Sequence, residues 1–240
     1  MMSKVEEFDK FTFVTISDIG DNHKALLMPN QDAADFCCDN GDFVLVVSDG
    51  VGSCKKAEMG SKYVVNACIE IFKKLQNGHI DFENDTIAEE LIFIWTNSIE
   101  NDIIDDYCAT VKTAFKIGNI IKIVSIGDGF VAVSSDGINL ITPMEDASFT
   151  NETKCLGKHI KISDFWIADF QIDTRKSYAI MCCTDGVANA ILDGKELELV
   201  EDIEKNIISN ELKNELEELI KDISEYSFDD KTLGVVKYEW

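Results

Sequence analysis

Apolar residues recur along this chain at two spacings, and the spacings assign its elements. Residues 11–17 alternate as a strand does, and 18–30 read as a loop. Residues 36–38 and 43–48 form two apolar runs joined by the turn formers Asp39, Asn40 and Gly41, which predicts a hairpin. From 57 to 76, Val64, Val65, Cys68, Ile69, Phe72 and Leu75 return at helical spacing, with Asn77-Gly78 as the stop. A second helix is expected over 86–105, capped by Asn84 or Asp85, with Ile87, Leu91, Ile94, Trp95 and Ile99 on its apolar face. Four short strands follow at 109–115, 120–126, 130–134 and 138–142, spaced as in an antiparallel meander. Residues 144–163 carry no clear period. Strands at 165–172 and 178–183, helices at 194–208 and 211–226, and a strand at 232–238 complete the chain. Strand blocks separated by pairs of helices predict an α+β protein with two stacked antiparallel β-sheets flanked by helices.

One run departs from alternation. Phe43, Val44, Leu45, Val46 and Val47 are continuously apolar, as in a strand buried on both faces, and the run ends abruptly in Asp49-Gly50-Val51-Gly52-Ser53. Burial fixes the register of such a strand and so aims the acid at its end. Gly50 has no Cβ, which lets its carbonyl approach a ligand closely, and Gly52 permits a tight reversal. An oxygen-liganded cation suits this arrangement, although Asp-Gly is also an ordinary turn. The dipeptide occurs five times, and its contexts separate the two readings. Asp136-Gly137 lies between two short β-like runs and reads as a hairpin turn. Asp193-Gly194 precedes a charged helical stretch and reads as a loop. Asp128 and Asp185 each close a strand-like run as Asp49 does, so three acids at three strand ends are expected to converge.

Composition narrows the function. Against 45 acidic residues the chain has 22 basic ones, a formal net charge of −23. That balance repels nucleic-acid phosphates and anionic membranes and favours cations and basic partners. The start, MMSKVEEFDKF, lacks the basic and then apolar stretch of a signal peptide, and no apolar segment approaches the roughly 18 residues of a membrane span, so a cytoplasmic protein is expected. With two prolines, no linker-like tract and no internal repeat, residues 1–240 read as a single domain. Eight cysteines without CxxC spacing read as buried free thiols. His23, His79 and His159 are not paired at zinc-ligand spacing.

In order along the chain stand NQDA at 30–33, VVSDGVGS at 46–53, CATVKTAF at 108–115, SIGDG at 125–129, CTDGV at 183–187 and DDKT at 229–232. With these pieces the sequence resembles the metal-dependent serine/threonine protein phosphatases of type 2C, particularly the compact bacterial members. The resemblance implies a four-layer αββα sandwich and hydrolysis of phosphoserine and phosphothreonine in proteins. It implies two Mn²⁺ or Mg²⁺ ions, with a weaker third site in some members. By resemblance, Asp49 bridges the two metals, the Gly50 carbonyl binds one, and Asp185 and Asp229 bind the other. Asp32 acts behind them or through water, and Asp128 with Asp185 forms the third site. Oxygen-only coordination agrees with those hard ions rather than zinc.

Three departures accompany the match. Gln31 stands where many relatives carry glutamate, which removes a charge near the metals and is expected to lower their affinity. Many relatives bind the substrate phosphate with an arginine upstream. Residues 18–30 offer only His23 and Lys24, and His23, in a GxxH spacing from Gly20, is the expected phosphate contact and catalytic residue. Val51 occupies the place of a general-acid histidine in some eukaryotic relatives, so the leaving oxygen takes its proton from metal-bound water or from His23. Two function classes follow: an active phosphatase working as a monomer on phosphorylated proteins, or a catalytically weak binding or regulatory module on the same fold.

Overall fold

The computed structural model describes residues 1–100, 102–135, 138–143, 154–191 and 194–240. Its elements in chain order are β1 (Met2–Phe8), β2 (Phe11–Asp18), α1 (Asp21–Leu26), β3 (Asp32–Asp39), β4 (Asp42–Asp49), α2 (Ala57–Gln76) and α3 (Asn84–Ser98). Then come β5 (Val111–Ile117), β6 (Ile120–Ile126), β7 (Phe130–Ser135), β8 (Ile138–Ile141), β9 (Trp166–Gln171) and β10 (Tyr178–Cys183). The last are α4 (Asp185–Ala188), α5 (Glu196–Lys205), α6 (Ser209–Ile223) and β11 (Lys231–Tyr238). Among the described residues no helix is long and apolar enough to cross a membrane.

The strands form a six-stranded sheet, β1-β2-β11-β10-β7-β8, and a five-stranded sheet, β3-β4-β5-β6-β9. Every pairing is antiparallel. The unbroken apolar run of β4 now has its cause. Leu45 and Val47 face the other sheet, packing with Phe13, Val131 and Ile180, while Val44 and Val46 face α2 and α3 with Phe72 and Trp95. On the outer face of the larger sheet, Val14, Ile16 and Met181 pack under α5 and α6 against Leu212, Leu216 and Ile220. The result is helices, sheet, sheet, helices, the expected α+β sandwich.

Four expectations change. Strands 109–142 are not one meander: β5 and β6 belong to the smaller sheet and β7 and β8 to the larger. The chain crosses between sheets at Gly127-Asp128-Gly129, where both glycines have positive φ. The second helix ends at Ser98 instead of 105, because Glu100 turns left-handed and a short 3₁₀ turn occupies Ile104–Asp106. Three elements stand where none was expected, the edge strand β1, the six-residue helix α1 inside the supposed loop, and the one-turn helix α4 after β10. Of the eight cysteines only Cys68, Cys182 and Cys183 are fully buried, and the others are half-buried at loops and edges. Asp136-Gly137 and Asp193 lie outside the described residues; on either side of the former, Ser135 pairs with Ile138 as in a hairpin.

Candidate active site

Asp32 and Asp49 are cross-strand partners at one end of the β3–β4 pair, and their carboxyls share a hydrogen bond. Two carboxyls this close repel one another when both are ionised, which favours the protonated form of one of them. Burial pushes Asp32 up to about 7, with the Asp230 charge adding to the rise. Burial likewise holds Asp49 well above the usual carboxylate range, reinforced by Asp32, Asp185 and Asp229. Asp185 is pushed up to about 6 by burial and then by Asp229 and Asp128. All five acids singled out in the sequence therefore meet at one end of the sandwich. They grade from buried Asp32, through half-buried Asp49, Asp128 and Asp185, to exposed Asp229.

The acids arrive on four different devices. Register delivers Asp32 and Asp49, and Thr184 Oγ1 donates to Asp32 Oδ2 at 2.9 Å. Asp128 sits on the turn that crosses between the sheets, and the first residue of α4 is Asp185. Buried Lys231 holds the approach to Asp229 by donating to the carbonyls of Ser227 and Asp229 at 3.2 and 2.8 Å. Behind the turn, buried Lys112 donates to Ser125 and to the Gly127 carbonyl.

The sequence reading missed Asp230. Its nearly buried carboxylate accepts from the Gly20 N–H at 2.7 Å and the Gln31 N–H at 2.6 Å, and lies 2.9 Å from His23 Nδ1. The Gln31 bond has a consequence for Gly50. Continuing the Asp32–Asp49 register makes Gln31 and Gly50 the next pair, which in an antiparallel ladder exchanges two hydrogen bonds. Gly50 N–H does donate to the Gln31 carbonyl at 3.1 Å, but the Gln31 N–H is turned to Asp230. The Gly50 carbonyl is left without that donor, beside Asp49. The only signal for Asp230 in the sequence is its place next to Asp229.

His23 is carried to the rim by Gly20, where a Cβ would lie 2.3 Å from the Asp229 backbone. His79 and His159 are exposed, the first just past α2 and the second in the segment before β9. Gln31 is buried, with Oε1 against Gly52, so it packs under the loop after Asp49. A cavity of about 550 Å³ opens between β1–β2 and the β3–α2 edge, with Asp32 among its lining residues.

Among the described residues no three acid, histidine or cysteine side chains are grouped so as to hold one ion by themselves. Hard divalent cations do not require such a cage, since magnesium keeps several waters and takes one or two carboxylates. Oxygen donors crowded until some retain protons, beside a carbonyl deprived of its donor, fit divalent cations of this kind. Gly186 tests how tightly the rim is built. A Cβ there would lie 1.9 Å from the Asp230 carbonyl. Gly186→Ala is expected to cost about 1–3 kcal/mol in urea denaturation and to weaken Mn²⁺ binding in calorimetry.

The model of the family described as Protein phosphatase 2C matches residues 19–221. Among curated proteins no sequence matches the chain. Of solved structures, a bacterial serine phosphatase superposes with a TM-score of 0.69 at 17% identity, covering 95% of this chain and 97% of its own. Stp1 from Staphylococcus aureus, a serine/threonine phosphatase, gives 0.68 at 16% identity, covering 95% of each chain. The catalytic domain of the serine/threonine protein phosphatase PstP, solved with two manganese ions, gives 0.66 at 17% identity, covering 95% of this chain and 97% of that one. The fold is that of these phosphatases. More narrowly, the chain belongs to the protein phosphatase 2C family. Nothing in the fold or the comparisons favours the silent binding module.

Proposed function

We propose that the chain hydrolyses phosphoserine and phosphothreonine in proteins at the rim of Asp32, Asp49, Asp128, Asp185 and Asp229. The observation that carries this is the convergence of these acids, with Asp49 raised well above the usual range between Asp32 and Asp185. In this reading Asp49 with the Gly50 carbonyl would hold one cation, and Asp49, Asp185 and Asp229 a second. Asp128 with Asp185 would hold a weaker third, and Asp32 would support Asp49 from behind. Bound Mn²⁺ or Mg²⁺ neutralises phosphate oxygens and makes hydroxide available near neutral pH. Both a magnesium-bound RsbX and the manganese-bound PstP domain have this fold. The chain acts as a monomer in the cytoplasm, on proteins rather than on nucleic acid or membrane surfaces, which its charge of −23 repels.

His23 supplies what the missing arginine does not. Asp230 occupies its Nδ1, which orients the ring and leaves Nε2 for the substrate. From there Nε2 donates to a phosphate oxygen or hands a proton to the leaving seryl oxygen. His23→Ala is therefore expected to leave Mn²⁺ affinity nearly unchanged and to lower kcat/KM about tenfold to a thousandfold. A proton donor predicts a large loss on phosphoserine peptide and a small one on p-nitrophenyl phosphate, whose leaving group needs no proton; a phosphate clamp predicts equal losses. Unaltered rates on both would remove His23 from the site. The reading as a whole is tested by assaying phosphopeptide with Mn²⁺, with Mg²⁺ and with chelator: activity that survives complete chelation overturns it.

A further inference from the structure

Two segments that carry the rim also carry bare apolar side chains. On and just after α1, Leu26 is 69% and Leu27 93% exposed, and just before Asp229, Tyr226 is 76% and Phe228 58% exposed. Single exposed apolar residues are ordinary, but four from two segments joined at an active site are not. The segments are tied by the Asn22 N–H donating to the Phe228 carbonyl at 3.1 Å. One contains His23 and the other leads into Asp229. Leu27 breaks a second local rule, since it closes the helix with φ +55°, a position where glycine is the usual occupant. Met28 N–H bonds back to the His23 carbonyl at 2.9 Å, so the strained turn and the histidine are one unit. Lys231 pins the other segment through Ser227 and Asp229, which fixes Tyr226 and Phe228 beside it.

Position says what such a surface is for. A protein whose phosphorylated residue enters the rim has to lay its neighbouring residues against the two segments that carry His23 and Asp229. The geometry points to Leu26, Leu27, Tyr226 and Phe228 as a docking surface for the protein substrate, taking an apolar side chain within a few residues of the phosphoserine or phosphothreonine. This rests on the phosphatase reading of the rim. It adds a preference that the metal site alone does not supply: phosphorylated sites flanked by leucine or aromatic residues over sites flanked by serine or glycine.

The test uses Leu27→Asn and Leu27→Gly, which remove the side chain while suiting the left-handed backbone, together with Phe228→Ser in the second segment. With Mn²⁺, each is expected to lower kcat/KM on a leucine-flanked phosphoserine peptide about tenfold, mostly through KM, as expected for one buried apolar side chain. Rates on a serine-flanked peptide and on p-nitrophenyl phosphate should stay within about twofold, and the melting temperature of the Leu27 variants should not fall. Equal losses on all three substrates would overturn the proposal, because the segments would then be acting through the integrity of the site. Unchanged rates on all three would overturn it too. Loss of self-association in sedimentation, with peptide rates unchanged, would give the surface to a second copy of the chain instead. If the unaltered chain hydrolyses nothing, the phosphatase reading fails separately; peptide affinity by fluorescence anisotropy then decides, a leucine-flanked preference lost in Leu27→Asn supporting the surface and equal affinity for both peptides rejecting it.

Discussion

Asp49→Asn leaves a folded chain whose metal-dependent hydrolysis of phosphoserine peptide falls on the order of a thousandfold or more. Asn keeps the size of the side chain but removes the one carboxylate that lies among Asp32, Asp185 and Asp229. The same substitution has an opposite effect on the metal-free fold. Asp49 is held well above the ordinary carboxylate range by burial and by its neighbours, so removing it relieves repulsion that only a proton or a cation otherwise relieves. In chelator, Asp49→Asn should melt no lower than the unaltered chain, and in Mn²⁺ it should lose the metal-induced rise. Asp136→Asn is the control, because an asparagine suits a turn equally well. Equal inactivity of the two variants would show that Asp-Gly contexts do not separate site from turn.

The second large effect is on stability as a function of pH and metal. Asp32 titrates near 7 and Asp185 near 6 in the folded chain, both above the 3.8 of an ordinary aspartate. Between about pH 4 and 7 the folded apo chain therefore binds more protons than the unfolded one, and its stability falls as pH rises through that window. A carboxyl titrating near 6 instead of 3.8 costs about 3 kcal/mol at neutral pH. About 2 kcal/mol of that falls between pH 4.5 and pH 8, which in a chain of this size lowers the melting temperature by about 4–8 °C from this source alone. Cations compete with those protons, so Mn²⁺ should raise the melting temperature at pH 7.5 and hardly at all at pH 4.5. Calorimetric melts at both pH values, with Mn²⁺ and with chelator, decide it; an increment equal at the two would detach the metal from these acids.

How much of this was legible depends on whether the signal was local. β4 announced itself because burial on both faces leaves no polar position in Phe43–Val47, and the acids at strand ends followed from it. β1 did not, because an edge strand exposed on both faces has no apolar period to detect. α1 has six residues and buries none of them, so it has no stripe either. The division of 109–142 between two sheets was hidden because strand spacing is the same whether the next strand joins the same sheet or the other. Asp230 was the costliest omission. Its role depends on three partners, Gly20, His23 and Gln31, each about 200 residues away in sequence, and adjacent acids look alike until the fold shows which one is buried against those partners.

The position of β11 bears on how the molecule is made. It lies in the middle of the larger sheet, between β2 and β10, yet comes after both of them in the chain. Lys231 pairs with Asp18, roughly 200 residues earlier, so at translation rates of about 5–20 residues per second β2 waits some 10–40 s for its neighbour. Throughout that interval one edge of β2 is open, joined near its end by one edge of β10, and both strands are buried and largely apolar in the finished fold. Such edges can pair with other nascent chains, so losses during synthesis should concentrate before β11 emerges rather than after. The element that closes the sheet is preceded at once by Asp229 and Asp230, so the nascent chain has no complete cation rim until the sheet itself is ready to close.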